Sequence, residues 1–366
     1  MKFLVLPDSF KGSISSSDFC EIAQKTLRKK SDDEVLSYPI CDGGEGSVEC
    51  LIQIFDGKTF SSKVTDGNLL KKTALCGYCA DKAFVSVAES SGLAKTMIKD
   101  PFVTTTYGMG EQILQAKHLG KKKIVLCLGG SSTNDGGAGL VKALGGKFFN
   151  QDGEDFLPTG GTLKEIANID LTDFYKNIEG MEFTALCDVT NPLLGPNGCT
   201  YVYAPQKGAK TAEKLAELEE NMRIFAERTS FLGADPMTPG AGAAGGLGYC
   251  VIAFLKGKLV RGIDFILDSI DFEKKAASSD VIITGEGKYD ASTAYGKAVR
   301  GIQTRAERVG KKVYVFCGKN DSGDTAFVRE LNDPALTLQE NMQNTAQNLK
   351  KCLDEFYKEI NGQNNK

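Results

Sequence analysis

Short apolar runs that alternate with amphipathic helical segments restrict the fold of this 366-residue chain more than any other feature. The runs at 3–6, 124–128, 281–283 and 313–316 are each continuously apolar, and helical patterns lie between them. Strands that are buried on both faces show such continuous runs, whereas strands with one solvent-exposed face alternate apolar and polar residues. The sequence therefore predicts an α/β protein with a mainly parallel sheet.

The middle of the chain has a different pattern. Residues 59–88 alternate Thr, Ser and Val, with turn signals at 66–68 and 76–78, which predicts antiparallel hairpins. Apolar residues at spacings of three and four predict helices over 211–228, capped by Thr211, and over 340–357.

The first and last thirds of the chain share the alternating pattern that the middle lacks. This arrangement predicts one α/β domain that is interrupted by a second, inserted domain. We set the boundaries at 1–60 plus 275–366 for the first domain and at 61–274 for the inserted domain.

Charge and composition exclude several classes of protein. With 44 basic and 47 acidic residues the formal net charge is −3, which gives no electrostatic reason to bind nucleic acid or an anionic membrane. The apolar start at 3–6 is shorter than the ~7–15 residues of a signal peptide core, and no stretch approaches the ~18 apolar residues of a membrane span. The 11 cysteines then predict reduced thiols. We expect a cytoplasmic protein with a small-molecule partner, acting as a monomer or homodimer.

Glycine-rich loops follow several of the apolar runs. Ligands bind at the carboxyl ends of strands in open α/β sheets, and glycine-rich turns there expose backbone N–H groups to phosphate oxygens. Acids, hydroxyls and lysines accompany the glycines, which favours a phosphate- or nucleotide-handling enzyme over simple turn chemistry. The loops are 7–13, 42–47, 129–137, 187–192 and 284–290.

Other motifs exclude alternatives. Residues 240–245 fit GxGxxG, but no strand precedes them, so they predict a close backbone approach and not a dinucleotide site. The P-loop pattern GxxxxGK[ST] does not occur. Cys76 and Cys79 form a lone CxxC, and His118 is the single histidine, which argues against a zinc site and a Ser-His-Asp hydrolase.

Eight motifs occur in an order that closely resembles the type-1 glycerate kinases of bacteria. They are PDSFKGS, DGGEGS, TTTYGMG, GGSSTNDGGAG, CDVTNPLLGPNG, APQKGA, PGAGAAGGLG and ITGEGKYD. The resemblance runs from residue 1 to about 320. The resemblance implies a flavodoxin-like parallel-sheet domain with a second mixed α/β domain inserted, and an active site in the cleft between them. It also implies ATP- and Mg²⁺-dependent phosphorylation of D-glycerate, usually at the 2-hydroxyl.

We assign roles to the motif residues as hypotheses. Asp188 is expected to act as the base, with Lys11 and Lys288 as further catalytic groups, and Lys207, Lys288 and Lys297 to neutralise charge on the phosphates. The expected substrate-binding residues are Asp8, Ser9, Lys11, Asn191 and Lys207. The expected nucleotide- and phosphate-binding residues are Gly130, Ser131, Thr133, Asn134, Asp135, Gly285 and Lys297. The expected Mg²⁺ ligands are Asp42, Glu45 and Glu286.

Two alternatives stay open at this point. One is a kinase for another small hydroxy acid or sugar acid on the same scaffold. The other is a catalytically silent ligand-binding protein, which binding without turnover would reveal. The sequence also leaves open which hydroxyl is phosphorylated.

Overall fold

The structure, a computed structural model, describes residues 1–10, 12–41, 43–290 and 298–363. Its contacts divide the chain into two compact units. Residues 1–41 and 263–366 form the first unit, and residues 42–262 form the second. The second unit is thus inserted in the sequence of the first.

Helices and strands alternate along most of the chain. The strands are β1 (Lys2–Pro7), β2 (Glu34–Ser37), β3 (Lys58–Thr65), β4 (Lys71–Cys79), β5 (Lys82–Ser86), β6 (Lys123–Cys127), β7 (Lys147–Phe149), β8 (Asp155–Phe156), β9 (Asn168–Asp170), β10 (Glu182–Leu186), β11 (Lys258–Val260), β12 (Val281–Tyr289), β13 (Val313–Asn320) and β14 (Val328–Glu330). The α-helices are α1 (Ser16–Leu27), α2 (Ser47–Ile54), α3 (Val87–Ser91), α4 (Tyr107–His118), α5 (Ala138–Ala143), α6 (Thr172–Ile178), α7 (Cys199–Tyr203), α8 (Ala212–Arg228), α9 (Ala243–Ala253), α10 (Gly262–Ser269), α11 (Phe272–Ser278), α12 (Ala298–Glu307) and α13 (Leu338–Gln363). Short 3₁₀ helices are Leu163–Glu165, Pro205–Lys207 and Ser230–Leu232. None of the helices that the described residues form is both long and apolar enough to cross a membrane.

The first unit is built on a five-stranded sheet in the order β14-β13-β12-β1-β2. Every neighbouring pair in this sheet is parallel. Counted along the chain within the unit, the order is 2-1-3-4-5, which is the flavodoxin-like order. The predicted fold class is therefore confirmed for this unit, and buried Phe3 and Val5 of β1 lie in its core with Ile283 of β12.

The second unit contains a six-stranded mixed sheet in the order β11-β10-β6-β5-β4-β3. The four strands β11, β10, β6 and β5 are parallel to one another, whereas β4 pairs antiparallel with both β5 and β3. A small antiparallel sheet, β8-β7-β9, lies in the same unit. The predicted mixed α/β character of the inserted segment is confirmed, including the hairpins of its first part.

The turn predicted at 76–78 is wrong, because these residues lie within β4. The chain reverses after Cys79, and β5 begins at Lys82. Gly77 is a packing position: a Cβ atom there would stand 2.6 Å from Cγ1 of Ile52. A glycine inside a strand can mark such a close approach as well as a turn.

The loop predicted at 284–290 is also corrected, since β12 continues to Tyr289. Its partner β13 extends equally far, so that Lys288 pairs with Lys319 and Tyr289 with Asn320. Gly285 is tightly packed within the strand, because a Cβ atom there would stand 2.8 Å from the carbonyl oxygen of Phe316.

Candidate functional site

A cavity of about 340 Å³ lies in the second unit, where β6 and β10 end. The two strands are parallel neighbours, and Cys127 pairs with Leu186 at their carboxyl ends. This is the edge at which open α/β sheets bind ligands, and the volume falls within the range of small-molecule sites. The lining residues are Leu93, Leu128, Gly129, Gly130, Ser131, Leu186, Cys187, Asp188, Val189, Tyr203, Gln206, Lys207, Ala243 and Ala244.

The glycine loop after β6 forms one wall of the cavity. Its carbonyl at Gly130 accepts a hydrogen bond from the Leu93 amide at 2.8 Å, and Ser131 forms an isolated β-bridge with Gly92. Gly130 has a φ of +77°, a left-handed conformation that glycine adopts without steric cost. These contacts fix the direction in which Ser131 enters the cavity.

Lys207 is a buried cation in the wall of this cavity. Only 2% of the residue is exposed, at the end of the 3₁₀ helix Pro205–Lys207. Its ammonium donates to Oγ of Ser131 at 3.0 Å and to the carbonyl oxygen of Thr133 at 2.7 Å. Burial lowers the pKa of Lys207 to about 8. Both acceptors are neutral, and no carboxylate of the described residues forms an ion pair with it. A buried charge of this kind is costly unless an opposite charge approaches it.

Asp188 contributes a carboxylate to the same cavity. It lies two residues after the end of β10, and its Oδ1 accepts a hydrogen bond from the Gly262 amide at 2.7 Å. The neighbouring Cys187 thiol donates to the carbonyl oxygen of Val189 at 3.3 Å, and burial raises the pKa of that thiol, which stays protonated. The cavity thus offers a cation and a hydroxyl in one wall and a carboxylate in another.

Backbone closes the cavity near the start of α9. Ala244, Gly245 and Gly246 are all left-handed, with φ of 54°, 67° and 94°. A Cβ atom on Gly245 would stand 2.0 Å from the carbonyl oxygen of Thr133, which is the oxygen that holds Lys207. The close backbone approach that the GxGxxG segment predicts is therefore present.

Substitution of Gly245 by alanine is expected to destabilise the second unit. The left-handed conformation costs a non-glycine residue about 1–2 kcal/mol, and the collision with the Thr133 carbonyl adds about 1–3 kcal/mol. Gly180→Ala is the matched control, because Gly180 has a φ of +71° but has open space around its Cβ position. Urea unfolding should show a clearly larger loss of stability for Gly245→Ala. Equal losses in the two variants would contradict the close packing.

Four predicted site residues line the cavity: Gly130, Ser131, Asp188 and Lys207. Thr133, Asn134 and Asp135 of the same loop are fully buried. Asn134 donates from Nδ2 to Oγ1 of Thr200 at 3.3 Å, and Thr133 contributes its carbonyl oxygen to Lys207. The expectation that these three residues bind phosphate stays a prediction.

Asn191 is anchored at both ends of its amide. Oδ1 accepts from the Tyr203 hydroxyl at 2.6 Å, and Nδ2 donates to the carbonyl oxygen of Asn197 at 2.8 Å. Tyr203 lines the cavity and was not predicted, and neither were Gln206 and Ala244. The only signal for Tyr203 and Gln206 was their position in and beside the APQKGA motif.

The remaining described candidates belong to the first unit, apart from Glu45. Oδ1 of Asp8 accepts from the amide of Ser9 at 2.7 Å, and Glu286 is 7% exposed on β12. Lys288 forms ion pairs with Asp290 at 3.1 Å and with Asp321 at 3.0 Å, and both carboxylates raise its pKa. Gly285 lies within β12.

The predicted magnesium ligands stay a prediction. Asp42 lies outside the described residues, as do Lys11 and Lys297. Glu45 is exposed in the turn before α2. Within the described ranges, no three Cys, His, Asp or Glu side chains are grouped as a metal site would require.

Comparisons with known proteins agree over nearly the whole chain. A sequence model of the glycerate kinase family matches residues 3–361. A glycerate kinase of Bacillus cereus is 43% identical over 316 residues, which cover 84% of this chain and 82% of the relative. A glycerate 2-kinase of Escherichia coli is 38% identical over 325 residues, which cover 87% and 85% of the two chains. A crystal structure assigned to glycerate kinase 2 of Salmonella typhimurium superposes with a TM-score of 0.89 at 32% identity, and it covers 100% of both chains.

Proposed function

Because the chain belongs to the glycerate kinase family, and is a phosphotransferase of that family, we propose that it transfers the γ-phosphoryl group of ATP to D-glycerate and forms 2-phosphoglycerate. The resemblance seen in the eight motifs is thereby confirmed at the level of the family. The phosphate donor, the product and a cytoplasmic location are parts of the proposal.

The observation that carries the substrate assignment is the Lys207 ammonium in the cavity wall. It is buried, it already donates to two neutral acceptors, and a lysine ammonium has three donors. A carboxylate in the cavity would accept the third donor and supply the opposite charge. The Ser131 hydroxyl beside it provides a further polar contact. A small hydroxy acid fits this arrangement better than an uncharged alcohol does.

The orientation of the substrate follows from the two charged walls. We place the carboxylate of glycerate at Lys207 and Ser131 and its reacting hydroxyl at Asp188. The Gly262 amide fixes one oxygen of Asp188, so the carboxylate is held in place while it accepts the hydroxyl proton. In kinases the corresponding aspartate orients the attacking hydroxyl in the same way.

When bound, ATP would supply the phosphoryl group, and Mg²⁺, for which Glu45 and Glu286 are the described candidate ligands, would neutralise charge on its oxygens. The chain's own contribution in this cavity is to bind the acid, align its hydroxyl and enclose the reacting group. Leu93 and Leu128 give the lining apolar surface, which strengthens the interaction between Lys207 and an anion.

A coupled ADP-release assay with ATP, Mg²⁺ and D-glycerate tests the proposal, with the product identified by ³¹P NMR. Turnover with 2-phosphoglycerate as the product is expected. Formation of 3-phosphoglycerate would support the glycerate kinase activity but contradict phosphorylation at the 2-hydroxyl. Absence of turnover at high D-glycerate concentration, with turnover of another hydroxy acid, would overturn the substrate.

A further inference from the structure

Asp135 is a buried carboxylate in the loop that forms one wall of the cavity. The residue is 0% exposed and does not belong to the cavity lining. Oδ2 accepts from the amide and the hydroxyl of Thr106, each at 2.8 Å, and from the amide of Gly139 at 3.3 Å. Oδ1 accepts from the amide of Gly137 at 3.2 Å. The side chain thus ties the loop 129–137 to the segments on either side of it.

The hydrogen-bond donors around Asp135 favour its ionised form. Burial raises the pKa of this carboxyl, while the bonds from Thr106, Gly137 and Gly139 oppose that rise. Three of the four groups are amides, which only donate. The Thr106 hydroxyl accepts from the Leu140 amide at 2.9 Å, so its own proton points to Asp135. If the carboxyl were protonated, its O–H would face only hydrogen-bond donors and would find no acceptor, which is unfavourable.

The same loop carries both acceptors of the Lys207 ammonium, the Ser131 hydroxyl and the Thr133 carbonyl. Asp135 lies two residues after Thr133 in this loop, and its charge favours the Lys207 ammonium although the two side chains form no ion pair. We propose that Asp135 is the counter-charge that keeps Lys207 ionised for anion binding, and that it is a positioning residue which acts through its field and its loop. This inference rests on the proposed function only for the identity of the anion.

The other titratable groups near the pair are weak competitors for this role. The Cys199 thiol on α7 is the group with the largest charge interaction with Lys207, but burial raises its pKa to about 12, so it is neutral at working pH. Burial likewise raises the pKa of the thiol of Cys250, a residue of α9 that interacts with Asp135. Glu219 on α8 interacts with Cys199. Asp188 lines the cavity, and its Oδ1 accepts from the Gly262 amide at 2.7 Å.

Titration of Lys207 in the full-length protein tests the inference without reference to any reaction. Lysine carrying ¹³C at Cε is incorporated, and the Lys207 signal is assigned by its loss in Lys207→Arg. In Asp135→Asn the side-chain NH2 takes the place of Oδ1. Only the hydrogen bond from the Gly137 amide is lost, and the three hydrogen bonds to Oδ2 are kept. Removing the negative charge disfavours the ammonium, so the midpoint for Lys207 should fall by about one pH unit from its value near 8.

Thr106→Val is the matched control. It removes the 2.8 Å hydroxyl bond to the same carboxylate but leaves the charge in place, so the Lys207 midpoint should stay where it is. If Asp135→Asn does not fold, Asp135→Ser removes the charge without placing an amide donor opposite the Gly137 amide. It should lower the Lys207 midpoint by the same amount. An unchanged midpoint in the charge-removing variant, or an equal shift in Thr106→Val, would overturn the inference.

Enzyme kinetics provide the second readout. The alkaline limb of kcat/KM, which reports the free enzyme, should move to lower pH in Asp135→Asn, with about a fivefold loss at pH 8 that approaches tenfold at higher pH. A charge-neutral structural role would lower kcat/KM equally at every pH. If unmodified protein shows no glycerate turnover, the proposed function fails, and the NMR titration still decides the inference.

Discussion

Asp188→Asn is expected to lower kcat by about 10²–10⁴-fold and to leave the fold intact. Asparagine keeps the oxygen that accepts the 2.7 Å hydrogen bond from Gly262, so the wall of the cavity should not move. It cannot accept the proton of the substrate hydroxyl, because its amide is not basic. Single-turnover rates with saturating ATP, Mg²⁺ and D-glycerate measure the effect.

The control for this variant is Asp170→Asn. Asp170 accepts a comparable hydrogen bond, from the Thr172 amide at 2.9 Å, but it is the last residue of β9 and does not line the cavity. Its turnover should match that of the unmodified enzyme, and both variants should keep the same melting temperature. Activity of Asp188→Asn within a few fold of normal would rule out Asp188 as the base.

Lys207→Met is expected to raise KM for D-glycerate by about 10²-fold or more. Methionine resembles the lysine stem in shape but provides neither the charge nor the donors. The loss of a charge-assisted bond in a buried site typically costs about 2–5 kcal/mol of binding. Stability should change much less, because the substitution also removes the cost of burying an ammonium that has no carboxylate partner among the described residues.

Lys210→Met separates this effect from a general loss of positive charge. Lys210 is exposed three positions further along the chain and does not line the cavity. Its KM should remain unchanged, whereas isothermal titration calorimetry should show D-glycerate binding lost in Lys207→Met. Normal binding in Lys207→Met would remove the observation on which the substrate assignment depends.

Hydrophobic periodicity predicted the fold more reliably than glycine did. The continuous run at 281–283 lies in a central parallel strand, and the periodic segment at 211–228 lies in α8, capped by Thr211 as expected. The turns predicted from glycine at positions 77 and 285 are absent, because both glycines lie within strands and make room for a neighbouring atom. The sequence alone does not distinguish a glycine in that role from one in a turn. Only the packing partners, Ile52 and the Phe316 carbonyl, distinguish the two cases.

The candidate site was predictable where it depends on the ends of neighbouring strands. Ser131 and Asp188 follow β6 and β10, and parallel pairing of those strands places both in one cavity. The placement of Tyr203 was not predictable, because it depends on a hydrogen bond to Asn191 and on a short helix without a periodic pattern. Nor does sequence separate a loop residue that faces the ligand, such as Ser131, from one that is buried behind it, such as Asp135.

The close contact between main-chain segments around the cavity has a consequence for redesign of its specificity. Gly245 leaves its neighbouring segment no room for a methyl group, and a Cβ atom on Gly208 would stand 1.9 Å from the carbonyl oxygen of Lys99. Saturation libraries at these glycines should therefore yield few folded clones. Diversity is better directed to Leu93, Tyr203 and Gln206, whose side chains line the cavity and can be shortened to admit longer hydroxy acids.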